Sequence, residues 1–197
     1  YSRCHGIQSF RQPFTDEAFK LTYPMLLRET GYRTGFVGKW GLGGPLPEDQ
    51  FDFFEGFSGQ GQYFHDVNGE EVHLTEILGN KSVRFLNECS PDQPFCLSVS
   101  FKAPHVKDGA PDPFQYDPMY ADLYSEVEIP EPKTATERHF SMLPDFIRNS
   151  EGRTRWERRF ANPALYQHSV KGYYRLITGV DAVVGRILDA LRRSGLD

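Results

Sequence analysis

The most constraining feature of this sequence is a short apolar segment that leads into a group of glycines. Residues 31–44 read GYRTGFVGKWGLGG. Gly31 follows a run that favours helix and is typical of the left-handed position that ends one. Residues 34–37 are apolar and partly β-branched, which predicts a strand covered on both faces. The glycines that follow allow the backbone to approach a ligand closely.

Lys39 follows this predicted strand directly. Open α/β sheets place their binding sites at the carboxyl ends of the strands. Most lysines are simply solvated on the surface. The position of Lys39, more than its residue type, therefore makes it a candidate for holding an anion.

Four other segments show a clear secondary-structure pattern. Helices are predicted over residues 22–30, capped by Thr22, and over residues 74–87, where apolar positions fall on one face. Residues 95–101 predict a central, parallel strand. Apolar residues at three- and four-residue steps predict a long helix over residues 173–191.

The remaining segments predict loops. Residues 44–64 are rich in Gly, Pro and Phe and predict a long ordered loop whose phenylalanines pack onto the body of the domain. Residues 67–70 predict a turn at the tip of a hairpin. Prolines and acidic residues predict a long irregular excursion from the sheet over about residues 107–163.

A second charged group follows the second predicted strand. Residues 102–105 read KAPH, so Lys102 and His105 repeat the arrangement seen at Lys39. A lone histidine is often structural, and that reading stays open for His105. For Lys102, an active-site role and a solvated position remain equal alternatives.

The irregular segment carries arginines around a tryptophan, in the run RNSEGRTRWERRF. Guanidinium groups bind sulfate or carboxylate, and an indole stacks on a sugar ring. This pattern makes Arg153, Arg155 and Trp156 candidate substrate-binding residues. The alternative is a solvated face that Glu151 and Glu157 neutralise in part.

The first segment resembles the second signature of the sulfatase family, G-Y-x-T-x-x-x-G-K-x-H. The matching residues are Gly31, Tyr32, Thr34, Gly38 and Lys39, whereas Gly41 stands in place of the histidine. The resemblance is strong over residues 22–43, moderate over residues 94–105 and 170–197, and slight between them. A strand followed by Pro-His also recurs in that family, where the histidine contacts the sulfate or the leaving-group oxygen. The resemblance therefore implies catalytic roles for Lys39 and His105.

The resemblance implies an α/β fold, namely an alkaline-phosphatase-like sandwich of a mostly parallel sheet with helices on both faces. It also implies hydrolysis of sulfate esters, with a calcium ion and a formylglycine made from Cys or Ser in a C/S-x-P-x-R motif. That motif and the expected acidic metal ligands are absent from residues 1–197. We therefore expect the chain to be the central part of a sulfatase catalytic domain, incomplete and inactive alone, with the nucleophile and the calcium ligands outside it.

Composition argues against two features, a nucleic-acid partner and a membrane span. A net charge of −5 argues against a general nucleic-acid binder, and no apolar run approaches the length that spans a bilayer. The resemblance implies a sulfated small molecule or glycan as partner, and favours periplasm or secretion. Two alternatives remain: a phosphate-ester hydrolase of the same superfamily and a non-catalytic carbohydrate-binding member. The three cysteines leave a Cys89–Cys96 disulfide open.

Overall fold

The computed structural model describes residues 2–196, apart from the side chains of Cys4 and His5. Three helices open the chain, four strands follow, and one helix and one strand precede the four remaining helices. The helices are α1 (Ser2–His5), α2 (Asp16–Lys20), α3 (Tyr23–Glu29), α4 (Leu74–Asn87), α5 (Glu137–Ser141), α6 (Asp145–Arg148), α7 (Glu151–Phe160) and α8 (Pro163–Arg193). The strands are β1 (Arg33–Lys39), β2 (Phe53–Phe57), β3 (Phe64–Val67), β4 (Glu70–His73) and β5 (Phe95–Ser100).

Strand β1 lies between β2 and β5, and both pairings are parallel. Gly38 is opposite Gly56 on one side and Ser100 on the other, so the carboxyl ends of the three strands lie side by side. Strands β3 and β4 form a separate antiparallel hairpin. Its turn holds Asn68 and Gly69 at positive φ, which confirms the predicted hairpin tip.

Helices cover both faces of the parallel sheet. Phe36 of β1 packs in a cluster with Phe19 of α2 and Met25 of α3. The next residue, Val37, is fully buried against the opposite face in a cluster with Leu78 of α4. Successive side chains of a strand point to opposite faces, so the two clusters confirm the prediction that β1 is buried on both sides.

The chain divides into two compact units. The first contains the residues up to His105 and those from Gly179 onward, and the second is Val106–Thr178. In the first unit, Phe85 of α4 packs against Ala190 and Ile187 near the end of α8. The second unit contains α5, α6, α7 and the first half of α8, and Phe114 packs closely over the helical Gly172 there.

Several sequence predictions are confirmed by these elements. Helix α4 has the predicted bounds of residues 74–87, and β1 extends the predicted strand by one residue toward the amino end and two toward the carboxyl end. Strand β5 is parallel as predicted. Gly31 has a φ of 93° and ends α3 in the expected left-handed conformation.

Other predictions were wrong. The loop predicted over residues 44–64 contains β2, a half-buried strand in which Glu55 and Gly56 stand between Phe54 and Phe57. Strand β5 lies at an edge of the described parallel sheet, not at its centre. Helix α8 begins ten residues earlier than predicted, at Pro163. Thr22 occupies the N-cap position of α3 as predicted, but its hydroxyl does not cap the helix; it donates to the Phe19 carbonyl at 2.7 Å.

The cysteines described by the structure are free thiols. Cys89 and Cys96 form no disulfide, and burial raises the pKa of both. Raised pKa values are typical of unreactive structural cysteines. Among residues 2–196, no helix has both the length and the apolar character needed to cross a membrane.

Candidate active site at the carboxyl ends of the strands

The site begins with two lysines that adjacent strands deliver to one edge. Lys39 is the last residue of β1, and Lys102 follows the last residue of β5 by two positions. The strands come very close there, because Gly38 has a φ of 108° and a Cβ atom on it would collide with the Ser100 carbonyl. Glycine is therefore required at this position, which holds the two strand ends together.

Gln60 connects the two lysines. Lys39 Nζ donates to Gln60 Oε1 at 2.8 Å, and Lys102 Nζ donates to the Gln60 backbone carbonyl at 2.8 Å. Gln60 lies in the loop after β2, between Gly59 at φ 70° and Gly61 at φ 68°. These two turns bring the loop across the ends of β1 and β5. Both ammonium groups therefore meet at a single residue.

Tyr63 fixes the turn that carries His105. The Tyr63 hydroxyl donates to the His105 carbonyl, and the His105 N–H donates to the Lys102 carbonyl at 2.9 Å. The Tyr63 ring is 1% exposed and lies 5.0 Å from Lys102 Nζ. Burial raises the pKa of Tyr63 well above its ordinary value, so the hydroxyl remains a donor. Tyr63 thus contacts both Lys102 and His105.

Lys102 is a buried cation, with only 3% of its surface exposed. Burying an ammonium group costs free energy unless hydrogen bonds and charge compensate it. The Gln60 carbonyl and the face of the Tyr63 ring supply part of that compensation. An anion bound at the carboxyl ends of β1 and β5 would compensate the buried charge of Lys102 further. His105 is exposed on the same turn.

Two nearby histidines have structural positions. His73 is 4% exposed and stacks on Tyr63 with ring centroids 5.1 Å apart. Its Nδ1 accepts from the Thr75 N–H at 3.3 Å and so caps α4. His65 lies in β3, where Nε2 is 3.2 Å from the Gln62 carbonyl.

The other three predicted residues lie at two different cavities of the second unit. The Arg153 Cζ atom lies 3.8 Å from the centroid of the Phe140 ring and 4.5 Å from that of the Trp156 ring. The Arg153 Nε donates to Glu157 at 2.9 Å. Arg153 and Trp156 line a cavity of about 550 Å³. Arg155 pairs with Glu151 at 3.0 Å and lines a different cleft. All three predicted residues lie on α7 in the second unit.

A comparison with known families matches residues 18–197 to the sulfatase family. The chain belongs to the sulfatase family. It is 25% identical over 259 aligned positions to an N-acetylglucosamine-6-O-sulfatase of Bacteroides thetaiotaomicron, with 96% of this chain and 45% of that protein covered. It is 28% identical over 131 positions to an arylsulfatase of Clostridium perfringens, with 64% and 24% covered. The chain spans less than half the length of these curated relatives.

A solved structure agrees with the sulfatase fold. BT4656, solved in complex with its substrate D-glucosamine-2-N,6-O-disulfate, covers 100% of this chain with a TM-score of 0.69. The sequence identity is 20% over 51% of that protein, so the match concerns the fold. It agrees with the α/β architecture of parallel sheet and covering helices expected from the sequence.

The residues of this sulfatase chain do not fit the expected calcium ion. Among the described side chains, which exclude those of Cys4 and His5, no group of three or more His, Cys, Asp or Glu is placed to hold a metal. The sequence also lacks the C/S-x-P-x-R motif. The run CSPDQ, which starts at Cys89, has glutamine in place of the arginine and precedes the amino end of β5. The described site brings two ammonium groups, at Lys39 and Lys102, to one residue.

Sequence reasoning missed Gln60 and Tyr63. Both lie in the segment interpreted as a loop packed by phenylalanines, and neither belongs to the motif that singled out Lys39. The one available signal was the pattern Gly59-Gln60-Gly61, since two glycines around a polar residue are typical of a tight approach between backbone segments.

Proposed function

We propose that the whole protein hydrolyses a sulfate ester of a carbohydrate at the edge where β1 and β5 end. The main support is the position of Gln60, which accepts a hydrogen bond from each of two lysines delivered by adjacent parallel strands. Two ammonium groups that contact the same residue suit a ligand with several anionic oxygens. Membership of the sulfatase family supports a sulfate ester as that ligand.

Lys39 and Lys102 would hold the sulfate oxygens. Charge on these oxygens changes as the ester bond breaks, and fixed cations that match the transition state lower the barrier. Lys102 is suited to this role because it is buried and held by Gln60 and Tyr63, so it needs little reorganisation. The partly buried Lys39 would meet the same group from the neighbouring strand.

His105 would act on the leaving oxygen. An alcohol leaves more readily when a positioned acid protonates it, and imidazole is the side chain that most often does so. The backbone of His105 is fixed on both sides, by Tyr63 at its carbonyl and by Lys102 at its N–H. This anchoring holds the imidazole-bearing turn close to the buried ammonium group.

The proposed substrate is a sulfated sugar. A relative whose match covers 96% of this chain bears the name N-acetylglucosamine-6-O-sulfatase, which supports a sulfated amino sugar. We assign Arg153, Arg155 and Trp156 to contacts with the saccharide. Trp156 is 36% exposed beside the cavity that it shares with Arg153, as a stacking surface requires. Arg155 would contribute charge from its own cleft.

Calcium and formylglycine would come from parts of the whole protein outside residues 1–197. The 197-residue chain contains neither the modification motif nor, among its described residues, a set of metal ligands. We therefore expect the isolated chain to show no turnover of an aryl sulfate. Measurable turnover by this polypeptide would contradict that expectation.

The decisive assay compares two esters of the same leaving group. The whole protein is given an aryl sulfate and the matched aryl phosphate, followed by 6-O-sulfated N-acetylglucosamine. We expect sulfate release to exceed phosphate release by at least about a hundredfold in kcat/KM, a difference typical of sites that discriminate by charge and hydrogen bonding. Faster phosphate release would favour the phosphate-ester alternative. Saccharide binding without hydrolysis would favour the non-catalytic one.

A further inference from the structure

The second compact unit contains a basic cleft between residues 107–113 and helix α7. Its volume is about 460 Å³, and three arginines and one lysine are among the residues that line it. The loop folds back on itself, because the Lys107 N–H donates to the Pro113 carbonyl at 2.8 Å and the Ala110 N–H donates to the Lys107 carbonyl at 3.2 Å. Backbone hydrogen bonds shape one wall, and a helix forms the other.

Two of the four cations in the basic cleft are paired. Arg159 donates to Asp108 at 2.9 Å, which ties the helix to the loop. The Arg155 Nε donates to Glu151 at 3.0 Å, so its terminal nitrogens remain available as donors.

The other two cations, Lys107 and Arg158, have no carboxylate within 4.0 Å in the described part of the chain. The basic cleft therefore has an excess of positive charge that its own acids do not neutralise. Arg158 is exposed and Lys107 is half-buried.

This excess is unusual in a chain whose net charge is −5. Like charges repel, and a concave wall focuses their field and attracts counter-ions. A merely solvated set of arginines would spread over a convex face. Arg153, on the same helix, shows the structural use of arginine, since it lies between two rings and is paired with Glu157.

We propose that the basic cleft is a second anion-binding site, which holds a sulfate or carboxylate group of a sulfated saccharide through Lys107 and Arg158. The guanidinium fork of Arg158 would bind two oxygens of the group, the ammonium of Lys107 would act as a point charge, and Arg155 would donate from the side. The site binds without hydrolysing. The choice of a saccharide rests on the function proposed above.

The test measures binding in the whole protein carrying Lys39→Ala, which slows hydrolysis of the ligand during the titration. A disulfated disaccharide, its unsulfated parent and inorganic sulfate are titrated by calorimetry at several salt concentrations. We expect the disulfated sugar to bind most tightly, and its affinity to fall as salt rises. Lys107→Ala and Arg158→Ala should each weaken it about fivefold to tenfold, as expected for loss of one charge-assisted hydrogen bond.

Matched controls distinguish binding at the basic cleft from a general effect of removing positive charge. Arg138→Ala removes the same charge from an exposed position of the second unit outside the basic cleft, and should leave the affinity unchanged. Arg158→Lys keeps the charge and should retain part of the binding even if Arg158→Ala disturbs folding.

Unchanged affinity in both alanine variants would overturn the proposal. A polyglutamate peptide that binds as tightly as the disulfated sugar would overturn the choice of a saccharide. If the cleft variants weaken binding while the unmodified whole protein hydrolyses no sulfate ester, the basic cleft stands and the proposed function fails.

Discussion

Lys39 ends β1 and Lys102 follows the end of the neighbouring strand β5, 63 positions later in the sequence, and both donate to Gln60. One contact is to the side-chain oxygen of Gln60 and the other is to its backbone carbonyl, each at 2.8 Å. Lys39, which belongs to the sulfatase motif, and Lys102, which lies outside it, are thereby joined through Gln60.

Replacing Gln60 should affect the reaction more than the fold. Gln60→Ala removes the acceptor for Lys39 but keeps the backbone carbonyl that accepts from Lys102. Gln60 is exposed, so we expect the thermal midpoint to stay within about 2 °C. The kcat/KM of the whole protein for an aryl sulfate should fall about tenfold, since Lys39 is less well positioned. Gln93→Ala, which loses an exposed contact to Gly31 at the opposite edge, is the control and should change neither quantity. Equal losses in the two variants would contradict a positioning role.

Tyr63→Phe should lower both stability and turnover. The variant keeps the ring beside Lys102 but leaves the His105 carbonyl without its donor. The free energy of unfolding should fall by about 1 kcal/mol, the usual cost of such a bond. We expect a drop in kcat that exceeds the rise in KM, because His105 is proposed to act on the leaving oxygen. Tyr166→Phe removes a comparable hydroxyl contact, to Pro130 in the second unit, and should leave kcat unchanged. A normal kcat in Tyr63→Phe would show that the hydroxyl contributes to stability alone.

Gly38 and Gly41 should respond differently to the same methyl group. Gly38 has a φ of 108° and its added Cβ would collide with the Ser100 carbonyl, whereas a Cβ on Gly41 meets nothing within 4 Å. We expect Gly38→Ala to reduce the free energy of unfolding by about 2 kcal/mol or more. Gly41→Ala should change it by less than about 0.5 kcal/mol. Urea denaturation of both variants measures the difference. Similar denaturation midpoints would contradict the close approach of β1 and β5.

Asp52 should make stability depend on acid pH. Burial alone would raise the pKa of this carboxyl, but hydrogen bonds from the Thr34 N–H and hydroxyl, together with Arg28, lower it below its ordinary value. A depressed folded-state pKa stabilises the fold above the unfolded value of about 3.9. That contribution is lost as the pH falls through the folded-state pKa.

The measurement is urea unfolding between pH 7 and pH 2 for the wild type and Asp52→Asn. The variant should lose about 1 kcal/mol at pH 7, a modest figure because the carboxylate is partly exposed. The difference between the two proteins should shrink below about pH 4. A constant difference across this range would contradict the ionic role of Asp52.

Local patterns predicted the parts of the fold that are repetitive or strongly apolar. Strand β1 was predictable because its apolar residues are consecutive, and α4 because its buried residues repeat with the helical period. Strand β2 was missed because Glu55 and Gly56 interrupt its phenylalanines and every residue in it is only half-buried. Its neighbours are Gly- and Pro-rich, which favours a loop on local grounds.

The sequence singled out Lys39, Lys102 and His105 as candidates because each stands at or after the end of a recognisable strand. The positions of Gln60 and Tyr63 depend on where a glycine-rich loop crosses the sheet, which is a tertiary property. The separation of Arg153 from Arg155 has a simpler cause. Residues two apart on a helix do not face each other, so a helix over residues 151–160 directs the two side chains to different cavities.

The most direct measurement is a double-mutant cycle on the kcat/KM of the whole protein for an aryl sulfate. Lys39→Ala and Lys102→Ala should each lower it by about a hundredfold or more, the usual loss when one group that stabilises the developing charge is removed. The double variant should lose less than the product of the two single losses, because both lysines serve one anion. Wild-type turnover in either single variant, or fully multiplicative losses, would contradict a shared anion site at the ends of β1 and β5.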